Sequence, residues 1–405
     1  MPASIPELPS SFLAQLHQLT LPEIAYKVAA AFLQEDVPAH VLMPLVEEVM
    51  NFDIPLVEVE RDVYSLELFH GPTMAFKDVG ARFMSRLMAY FTRDRNEELK
   101  VIVATSGDTG SAVAAGFHQV SGIQVYILYP KGKVSPLQQK QLTTWGDNIT
   151  AIEVEGTFDD CQRLAKQALA DKELNRQHLL TSANSINIAR LIPQSFYYFY
   201  AYGQQQQQGK PVVFSVPSGN FGNLTGGLLA AAMGLPVHRF IAATNANDVV
   251  PEYLQTGLYF PRASVQTISN AMDVGSPSNF ARMEVLYKGD LAQFRRHITG
   301  YTFTDEETRK AIRQVYQQHG YLLDPHGAVA YSGARQFLSE CHEQAIAVFL
   351  ETAHPAKFKE VMEDTLGEEI AIPARLQEFA EKEEHIVQMQ NSFEELKAIL
   401  SEAGS

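Results

Sequence analysis

Short apolar runs that each end in a turn and lead into a helical pattern constrain the fold more than any other feature of this sequence. Runs without alternating polar positions are typical of strands that are buried on both faces. Their alternation with helices of about ten to fifteen residues indicates parallel sheets covered by helices, so the sequence predicts an α/β protein. The predicted strands are residues 100–105, 124–129, 149–154, 211–216, 238–244 and 345–350, and the predicted helices include residues 110–120, 158–169 and 186–202.

Three segments depart from this alternation. Residues 1 to about 60 carry apolar side chains three and four positions apart, as at Ile24 and Val28, and are predicted to be helical. Gly203, five glutamines and Gly209 are predicted to form a solvated loop before the next strand. The charged residues from Pro373 onward are predicted to form a helical attachment at the surface.

Composition narrows the class of protein and of partner. A chain of 405 residues divides into roughly two or three domains, and a hydrophobic fraction of 46% with a charged fraction of 20% is typical of a soluble globular protein. The net charge of -15 argues against nucleic acid or an anionic membrane as a partner. The same charge repels an anionic substrate, so a site for one must supply its own arginines and amide donors.

Cysteine usage and the start of the chain give the expected compartment. Cys161 and Cys341 lie far apart and form no CxxC pair, which favours neither a disulfide framework nor a zinc site. The first residues lack a basic segment followed by an apolar run, and no apolar stretch is long enough to span a bilayer. We therefore expect a cytoplasmic protein.

A lysine behind a rigid turn is the first candidate for chemistry. In the run HGPTMAFKD (residues 70–78), Gly71 and Pro72 shape a turn, and Phe76 gives Lys77 an apolar neighbour. Desolvation disfavours an ammonium, and a neutral lysine is what a Schiff base with a carbonyl compound requires. The alternative is a surface lysine that opens an amphipathic helix.

A second candidate is the run PSGNFGN (residues 217–223), which lies between a predicted strand and a predicted helix. Its two glycines let the backbone curl so that several N–H groups point inward, and the helix that follows adds its positive end. A phosphate is the natural occupant of such a cradle. The alternative is an ordinary strand-to-helix turn; the spacing matches neither a Walker loop nor the dinucleotide fingerprint.

Two further polar runs also follow predicted strands. Residues 105–111, TSGDTGS, offer hydroxyls and amides for a carboxylate or a second phosphate, although Asp108 is also suited to be a helix N-cap. Residues 182–190, SANSINIAR, place Asn184 and Ser185 at an expected helix start, with Arg190 one to two turns later. The arginine fork matches phosphate oxygens in pairs, and the alternative for Arg190 is a surface salt bridge.

The last candidate ends an apolar strand, in the run FLETAHP (residues 349–355). Thr352 is placed to present a hydroxyl to a ring nitrogen at the carboxyl edge of a sheet, where ligands of open α/β folds bind. The alternative is a capping threonine. We interpret His354 as structural, and the run DPHG (residues 324–327) as a turn that opens a helix without a catalytic role.

Together these segments resemble the threonine synthase family of fold-type II pyridoxal-phosphate enzymes. The resemblance covers residues from about 60 to 370 and its motifs appear in the family's order. It implies an α/β fold of two doubly wound sheet domains with a helical N-terminal region. The runs that carry it are HGPTMAFKD, ATSGDTGSA, ILYPKGKVSPLQ, SANSINIARL, VPSGNFGNLT, FIAATNANDVVP, SNAMDVGSPSN and TAHPAKFKE.

The resemblance also implies a cofactor, a reaction and a set of residue roles. The cofactor is pyridoxal 5'-phosphate, and the reaction is that of a lyase in threonine biosynthesis, which converts O-phospho-L-homoserine and water to L-threonine and phosphate. Lys77 would form the Schiff base with the cofactor and remove the substrate α-proton, and Thr352 would face the pyridine nitrogen. The cofactor phosphate would be held by Gly219, Asn220, Phe221, Gly222 and Asn223. The substrate carboxylate would be bound by Ser106, Gly107, Asp108 and Thr109, and its phosphate by Asn184, Ser185 and Arg190.

By the same resemblance we expect a division into residues 1–60, a helical region; 61–202, with Lys77 and the substrate-binding loops; and 203–405, with the cofactor-phosphate loop and a C-terminal helical extension. Longer members of the family carry a further N-terminal segment, whereas the expected helices here begin soon after Met1. We expect that difference to concern the N-terminal packing and the oligomer, which is a monomer or a homodimer, and not the motifs.

Other functions remain open at this point. A pyridoxal-phosphate-dependent amino-acid phospholyase and a serine/threonine dehydratase share the fold. Arg190 with Asn184 favours a phosphorylated substrate over plain serine. A non-enzymatic regulatory relative would be expected to lack Lys77 or the SGNFGN loop, and both are present.

Overall fold

The computed structural model describes residues 2, 4–95, 97–185, 187–341 and 344–402. The strands in these ranges are β1 Leu56–Glu60, β2 Val63–Glu67, β3 Leu99–Ala104, β4 Ile123–Pro130, β5 Ile149–Glu155, β6 Leu179–Ser182, β7 Val212–Pro217, β8 Arg239–Thr244, β9 Ile298–Thr302, β10 Ile346–Glu351 and β11 Ile386–Gln390.

The α-helices in the same ranges are α1 Ser10–Ala14, α2 Leu21–Leu33, α3 Ala39–Val49, α4 Lys77–Thr92, α5 Asp108–Phe117, α6 Pro136–Thr143, α7 Phe158–Ala170, α8 Leu174–Gln177, α9 Ile188–Leu191, α10 Ser195–Gln205, α11 Gly222–Ala232, α12 Val249–Thr256, α13 Phe280–Leu286, α14 Leu291–His297, α15 Asp305–His319, α16 Pro325–Glu340, α17 Lys359–Leu366, α18 Ala374–Ala380 and α19 Phe393–Glu402.

The chain folds into two compact units that interleave along the sequence. The first unit consists of the residues up to Val79 and of Leu191–Ile370, and the second consists of Gly80–Arg190 and the residues from Ala371 onward. The division at residues 60 and 202 that the sequence predicts follows the order of the motifs along the chain. The compact units follow packing, and the part predicted as 203–405 therefore contributes to both.

The first unit is built on a six-stranded sheet in the order β1-β2-β10-β7-β8-β9. All neighbouring strands are parallel except β1 and β2, which form an antiparallel pair. Every residue of β7 and β10 is buried, as the apolar runs predict. Helix α16 packs on these strands closely, since a Cβ on Gly333 would lie 3.0 Å from the Ser215 hydroxyl oxygen.

The second unit is built on a five-stranded parallel sheet in the order β11-β5-β4-β3-β6. Odd-numbered residues of β3, such as Val101, pack into one apolar cluster, and even-numbered residues, such as Ile102, pack into another. The sheet therefore has a core on each face, which confirms the predicted α/β class with covered parallel sheets.

The C-terminal segment is more than the helical attachment that the sequence predicts, because it supplies an edge strand. Strand β11 pairs in parallel with β5, and the residues Leu396 and Leu400 of α19 join the core beside α7. The buried Lys100 ammonium donates to the Leu400 carbonyl oxygen at 2.6 Å and so satisfies one carbonyl at the end of α19. Polar residues alternate with apolar ones along β11, so this strand is not a fully apolar run and was not predicted.

The glutamine-rich segment is also not the solvated loop that the sequence predicts. Gly203 and Gln205 lie within α10 and are buried, and the Gln206 side chain donates to the Leu13 carbonyl oxygen at 2.9 Å. The segment thus packs on the N-terminal helical region of the first unit. The predicted helix 186–202 is divided into α9 and α10 by a 3-10 turn at Ile192–Gln194, and Ile186 lies outside the described residues.

Among the residues that the structure describes, no helix combines the length and the apolar character that crossing a bilayer requires.

We expect Gly203→Ala to lower the free energy of unfolding. A Cβ at this position would lie 2.9 Å from the Leu16 carbonyl oxygen, which is backbone and cannot easily shift. Overpacking of this kind costs about 1–3 kcal/mol, which exceeds the gain of about 1 kcal/mol in helix propensity. The matched control is Gln204→Ala at the exposed neighbouring position. Denaturant unfolding that finds both variants equally stable would contradict this packing.

Candidate functional site

Lys77 and Thr352 belong to two segments that pair with each other in the first unit. The Phe76 amide donates to the Thr352 carbonyl oxygen at 2.9 Å, and the His354 amide donates to the Met74 carbonyl oxygen at 3.1 Å. Ala75 and Ala353 form an antiparallel bridge between these bonds. The backbone that carries Lys77 is therefore fixed to the carboxyl end of β10, where the sequence predicts a ligand site.

The turn before Lys77 is held by buried charges. The Asp78 carboxylate accepts the Thr73 amide at 2.9 Å and the Thr73 hydroxyl at 2.5 Å. The Lys357 ammonium donates to the Thr73 carbonyl oxygen at 3.0 Å. Gly71 is required here because a Cβ would lie 2.5 Å from an Asp78 carboxylate oxygen. Every polar group of Thr73 is thus bonded, and the turn has little freedom.

Two aromatic residues fix the immediate surroundings of Lys77. The Lys77 Nζ lies 5.4 Å from the centroid of the Phe76 ring, a distance at which a cation–π interaction orients an ammonium. The buried Tyr197 hydroxyl donates to the Phe76 carbonyl oxygen at 2.6 Å. Phe76 is the apolar neighbour that the sequence predicts for Lys77, and Tyr197 fixes its backbone from α10.

The loop between β7 and α11 has the shape of an anion cradle. Phe221 is left-handed, with φ of 59°, and a Cβ on Gly219 would lie only 2.5 Å from the Met272 Cα. Helix α11 begins at Gly222, so the amides of its first turn have no acceptor within the helix. Amides at a helix N-terminus bind phosphate without a basic side chain, and this loop therefore fits the phosphate of pyridoxal phosphate.

The asparagine side chains of this loop are used to shape it. The Asn223 amide donates to the Pro217 carbonyl oxygen at 2.8 Å, and its oxygen accepts the Leu224 amide at 2.9 Å. The Asn220 side-chain oxygen accepts the Ser278 amide at 2.6 Å. The Asn223 side chain and the Asn220 side-chain oxygen therefore bond the protein itself, and the backbone N–H groups of the loop are donors suited to an anion.

In the second unit, the residues that follow β3 form a tight turn into α5. The Thr105 hydroxyl oxygen accepts the Gly107 amide at 2.9 Å and the Gly110 amide at 2.8 Å. Gly107 has a φ of 137°, which favours glycine, and it occupies the N-cap position. Asp108 is the first residue of α5 and accepts the Gln138 side-chain amide at 2.9 Å, so its alternative role as the N-cap is not observed. Ser106 and Thr109 are half-buried in the same turn.

The segment after β6 meets this turn at the same edge of the five-stranded sheet. The Asn184 side chain accepts the Ala104 amide at 3.2 Å and donates to the Ala104 carbonyl oxygen at 2.8 Å. Arg190 lies in α9, is 3% exposed, and donates to the Ala183 carbonyl oxygen at 2.6 Å. Arg190 is therefore not the surface residue of the alternative interpretation, and Asn184 joins two strand ends. Ser185 is half-buried beside it.

Sequence reasoning missed residues that contact the candidate site in space but lie far from it in the sequence. Lys357 and Tyr197 hold the lysine segment, and Ala271 and Met272 pack against Gly219. Lys357 and Met272 lie within the runs TAHPAKFKE and SNAMDVGSPSN, which carry the family resemblance. The sequence therefore marked these two residues but did not indicate what they do. The partner of each residue is set by the tertiary fold, which local patterns do not give.

We expect Thr73→Val to destabilise the first unit, because it removes the hydroxyl that the buried Asp78 carboxylate accepts. A lost hydrogen bond to a buried charge costs about 1–3 kcal/mol. Thr144→Val is the matched control, since that half-buried hydroxyl bonds only the Lys140 carbonyl oxygen among the described contacts. Equal free energies of unfolding for the two variants, measured in denaturant, would contradict the role of Asp78.

Comparison with known proteins places these features in a family. The family described as "Pyridoxal-phosphate dependent enzyme" matches residues 52–352, which include Lys77, the 219–223 loop and Thr352. A second family, described as "Threonine synthase, C-terminal", matches residues 327–400.

Relatives and solved structures agree with this match. The chain is 45% identical over 381 residues to the threonine synthase of Escherichia coli (strain K12), which covers 94% of this chain and 87% of the relative. The crystal structure of the Escherichia coli threonine synthase superposes with a TM-score of 0.92 at 42% identity, covering 100% of this chain and 93% of that chain. A PLP-bound threonine synthase from Brucella melitensis superposes with a TM-score of 0.92 at 34% identity, covering 99% and 92%.

The lysine segment paired to the end of β10, the amide-lined loop before α11 and the extent of these matches lead to one assignment. This chain belongs to the threonine synthase family of pyridoxal-phosphate-dependent enzymes.

Proposed function

We propose that the chain converts O-phospho-L-homoserine and water to L-threonine and phosphate. We also propose that it does so in the cytoplasm, which agrees with its two widely separated cysteines. The observation that carries the proposal is the pairing of the Lys77 segment with the Thr352 segment, in the unit that also holds the 219–223 loop. The 45% identity to a threonine synthase supports the reaction.

The first unit contributes the Lys77 amine, the N–H groups of the 219–223 loop and the Thr352 hydroxyl, and each has a proposed role toward the cofactor. When bound, pyridoxal phosphate withdraws electrons from the substrate α-carbon. The Lys77 amine would hold the cofactor and is assigned the removal of the substrate α-proton. The cofactor phosphate is assigned to the loop of residues 219–223, where the backbone N–H groups are donors and the Asn223 side chain bonds the Pro217 carbonyl oxygen instead. Thr352 offers the ring nitrogen a hydroxyl, which does not force that nitrogen to be protonated as a carboxylate would.

The second unit supplies the ligands of the substrate. We assign the substrate carboxylate to the α5 turn with Ser106, Gly107, Asp108 and Thr109, whose amides and hydroxyls are suited to an oxyanion. Arg190, with Asn184 and Ser185, is assigned to the substrate phosphate. A buried arginine provides the local positive charge that the net charge of -15 makes necessary.

A phospholyase or a dehydratase of the same fold remains the second candidate. A dehydratase acting on serine or threonine has no substrate phosphate to bind, so the charge of the buried Arg190 favours a phosphorylated substrate. A phospholyase that acts on a related amino-alcohol phosphate is separated from the proposed enzyme by its products, because it releases phosphate without making threonine.

We expect the purified protein with added pyridoxal phosphate to release phosphate and threonine in equal amounts from O-phospho-L-homoserine. The measurement follows both products in one reaction. Lys77→Ala is the control; it should lose turnover and the visible absorbance of lysine-bound cofactor. Phosphate without threonine would indicate a phospholyase, and near-normal turnover in the control would remove Lys77 from the mechanism.

We expect Arg190→Ala to lower kcat/KM for O-phospho-L-homoserine. The loss of a charge-assisted contact of about 1.5–3 kcal/mol corresponds to roughly a ten- to hundredfold decrease. Arg176→Ala removes an exposed arginine of the same unit and is the matched control, which should leave kcat/KM unchanged. An unchanged kcat/KM in Arg190→Ala, with the fold retained by circular dichroism, would show that the phosphate is bound elsewhere.

A further inference from the structure

A buried carboxyl group lies directly behind Thr352. Glu351 ends β10 and is 0% exposed. Its Oε1 accepts the Asp324 amide at 3.2 Å, whereas Oε2 meets no donor among the described residues. An unpartnered carboxylate oxygen at such depth is costly, so the state of this group requires an explanation.

Asp324, the neighbour of Glu351, is an anion by its contacts. It is 0% exposed and caps α16, accepting the His326 amide at 2.7 Å and the Gly327 amide at 3.3 Å. It also accepts the His326 Nδ1 at 2.5 Å. Each of these groups is a donor, and a carboxylate that accepts several donors prefers to be ionised.

Glu351 and Asp324 lie side by side at the start of α16. The Glu351 Oε1 accepts the Asp324 amide, and the Gly327 amide, which donates to Asp324, belongs to the residue that faces the Glu351 carboxyl. Two buried carboxylates this close repel each other, so one of them is expected to keep a proton. Burial, together with the charge of Asp324, raises the pKa of Glu351 well above its ordinary value. Burial opposes the ionisation of Asp324, but the bond from Glu351 and the neighbouring His326 hold its pKa below its ordinary value. A proton on Oε2 would turn this acceptor without a donor into a donor, and Asp324 is the adjacent anion.

The absence of a side chain at Gly327 makes room for the Glu351 carboxyl beside Asp324. A Cβ on Gly327 would lie 2.1 Å from the Glu351 Oε1 and 2.2 Å from its Cδ. The Glu351 carboxyl thus fills the space of a side chain in the first turn of α16. The position of the carboxyl is set by packing as well as by hydrogen bonds.

The pair connects to both ends of the proposed cofactor site. On one side, Glu351 continues into Thr352, whose carbonyl oxygen accepts the Phe76 amide. On the other side, the His326 Nε2 accepts the Ala271 amide at 3.2 Å. The Ala271 carbonyl oxygen lies 3.0 Å from the Cβ position of Gly219, in the phosphate loop. Donation from Nδ1 and acceptance at Nε2 describe a neutral imidazole with its proton on Nδ1.

We propose that Glu351 is a positioning residue that works as a neutral acid, and that its proton to Asp324 keeps Thr352 and the Ala271–Met272 backbone in place for the cofactor. This inference rests on the proposed roles of Thr352 and of the 219–223 loop. Glu351 touches no reacting atom and acts through these segments.

The proposal gives the holoenzyme a pH dependence of a defined sign. The pKa of Glu351 is raised in the fold, so its stabilising contribution is complete below the ordinary glutamate pKa and is lost as the pH rises. Ionised Glu351 would place a second anion beside Asp324 and break their bond. The other titratable groups around the pair are Glu67 from β2, Tyr321 before α16, His326 in α16 and His354 after β10.

The test compares the loss of pyridoxal phosphate from the holoenzyme and its variants between pH 7 and pH 10, followed by visible absorbance. Glu351→Gln keeps the shape and supplies a permanent donor, so it should retain cofactor near neutral pH and lose the wild type's added alkaline loss. Glu351→Ala removes the carboxyl beside Asp324 and should release the cofactor about tenfold faster at pH 7.5. Glu153→Gln, a buried strand glutamate of the second unit, is the matched control and should behave as the wild type.

The outcomes separate this inference from the proposed function. Cofactor loss with the same pH profile in wild type and Glu351→Gln would overturn the role of the proton, whether or not Glu351→Ala folds. Equal rates in wild type and Glu351→Ala would overturn the positioning role while the cofactor site stands. A wild type that binds no pyridoxal phosphate at all would refute the proposed function and, with it, this inference.

Discussion

The pairing of residues 74–76 with residues 352–354 is the interaction on which the rest of the site depends. Two backbone hydrogen bonds and the Ala75–Ala353 bridge attach the lysine segment to the end of a fully buried strand. Backbone bonds of this kind do not depend on side-chain rotamers, so the Lys77 Cα is placed as rigidly as the sheet itself. Asp78 and Lys357 then need only to hold the turn that leads into it.

Six of the eleven strands in the described residues could be predicted from the sequence nearly to the residue, because buried parallel strands carry uninterrupted apolar runs. They are β3, β4, β5, β7, β8 and β10. The predicted 100–105 and 345–350 correspond to β3 Leu99–Ala104 and β10 Ile346–Glu351. The sequence did not predict β1, β2, β6, β9 or β11. Strand β1 occupies the end of the region 1–60 that was predicted to be helical, which was wrong for these residues. Strand β11 is an edge strand, and its polar residues interrupt the apolar run. The glutamine segment was wrongly predicted to be a solvated loop because its composition is polar. In the structure, Gly203 and Gln205 are buried within α10, which packs on the N-terminal helices.

The candidate site divides in the same way. Loops that follow strands were predictable, because glycine-rich turns at the carboxyl ends of parallel strands meet at one edge. The roles of single side chains were less so: Asn184 bonds the backbone of Ala104, and Asp108 bonds Gln138. Whether a polar group faces a ligand or its own protein depends on partners far away in sequence. The resemblance to a family names the residues of a site, and only the fold gives their partners.

The interleaved order of the two units has a consequence for how the chain is made. The second unit completes its sheet with β11 and closes one core with α19, and both follow Leu191–Ile370, the larger part of the first unit, in the chain. During synthesis, the edge of β5 that later pairs with β11 therefore has no partner while the residues of the first unit are made and fold. Contacts of such long sequence separation, like that of Lys100 with Leu400, close late and slowly. The exposed β5 edge then offers unpaired backbone groups with which another copy of the chain can pair.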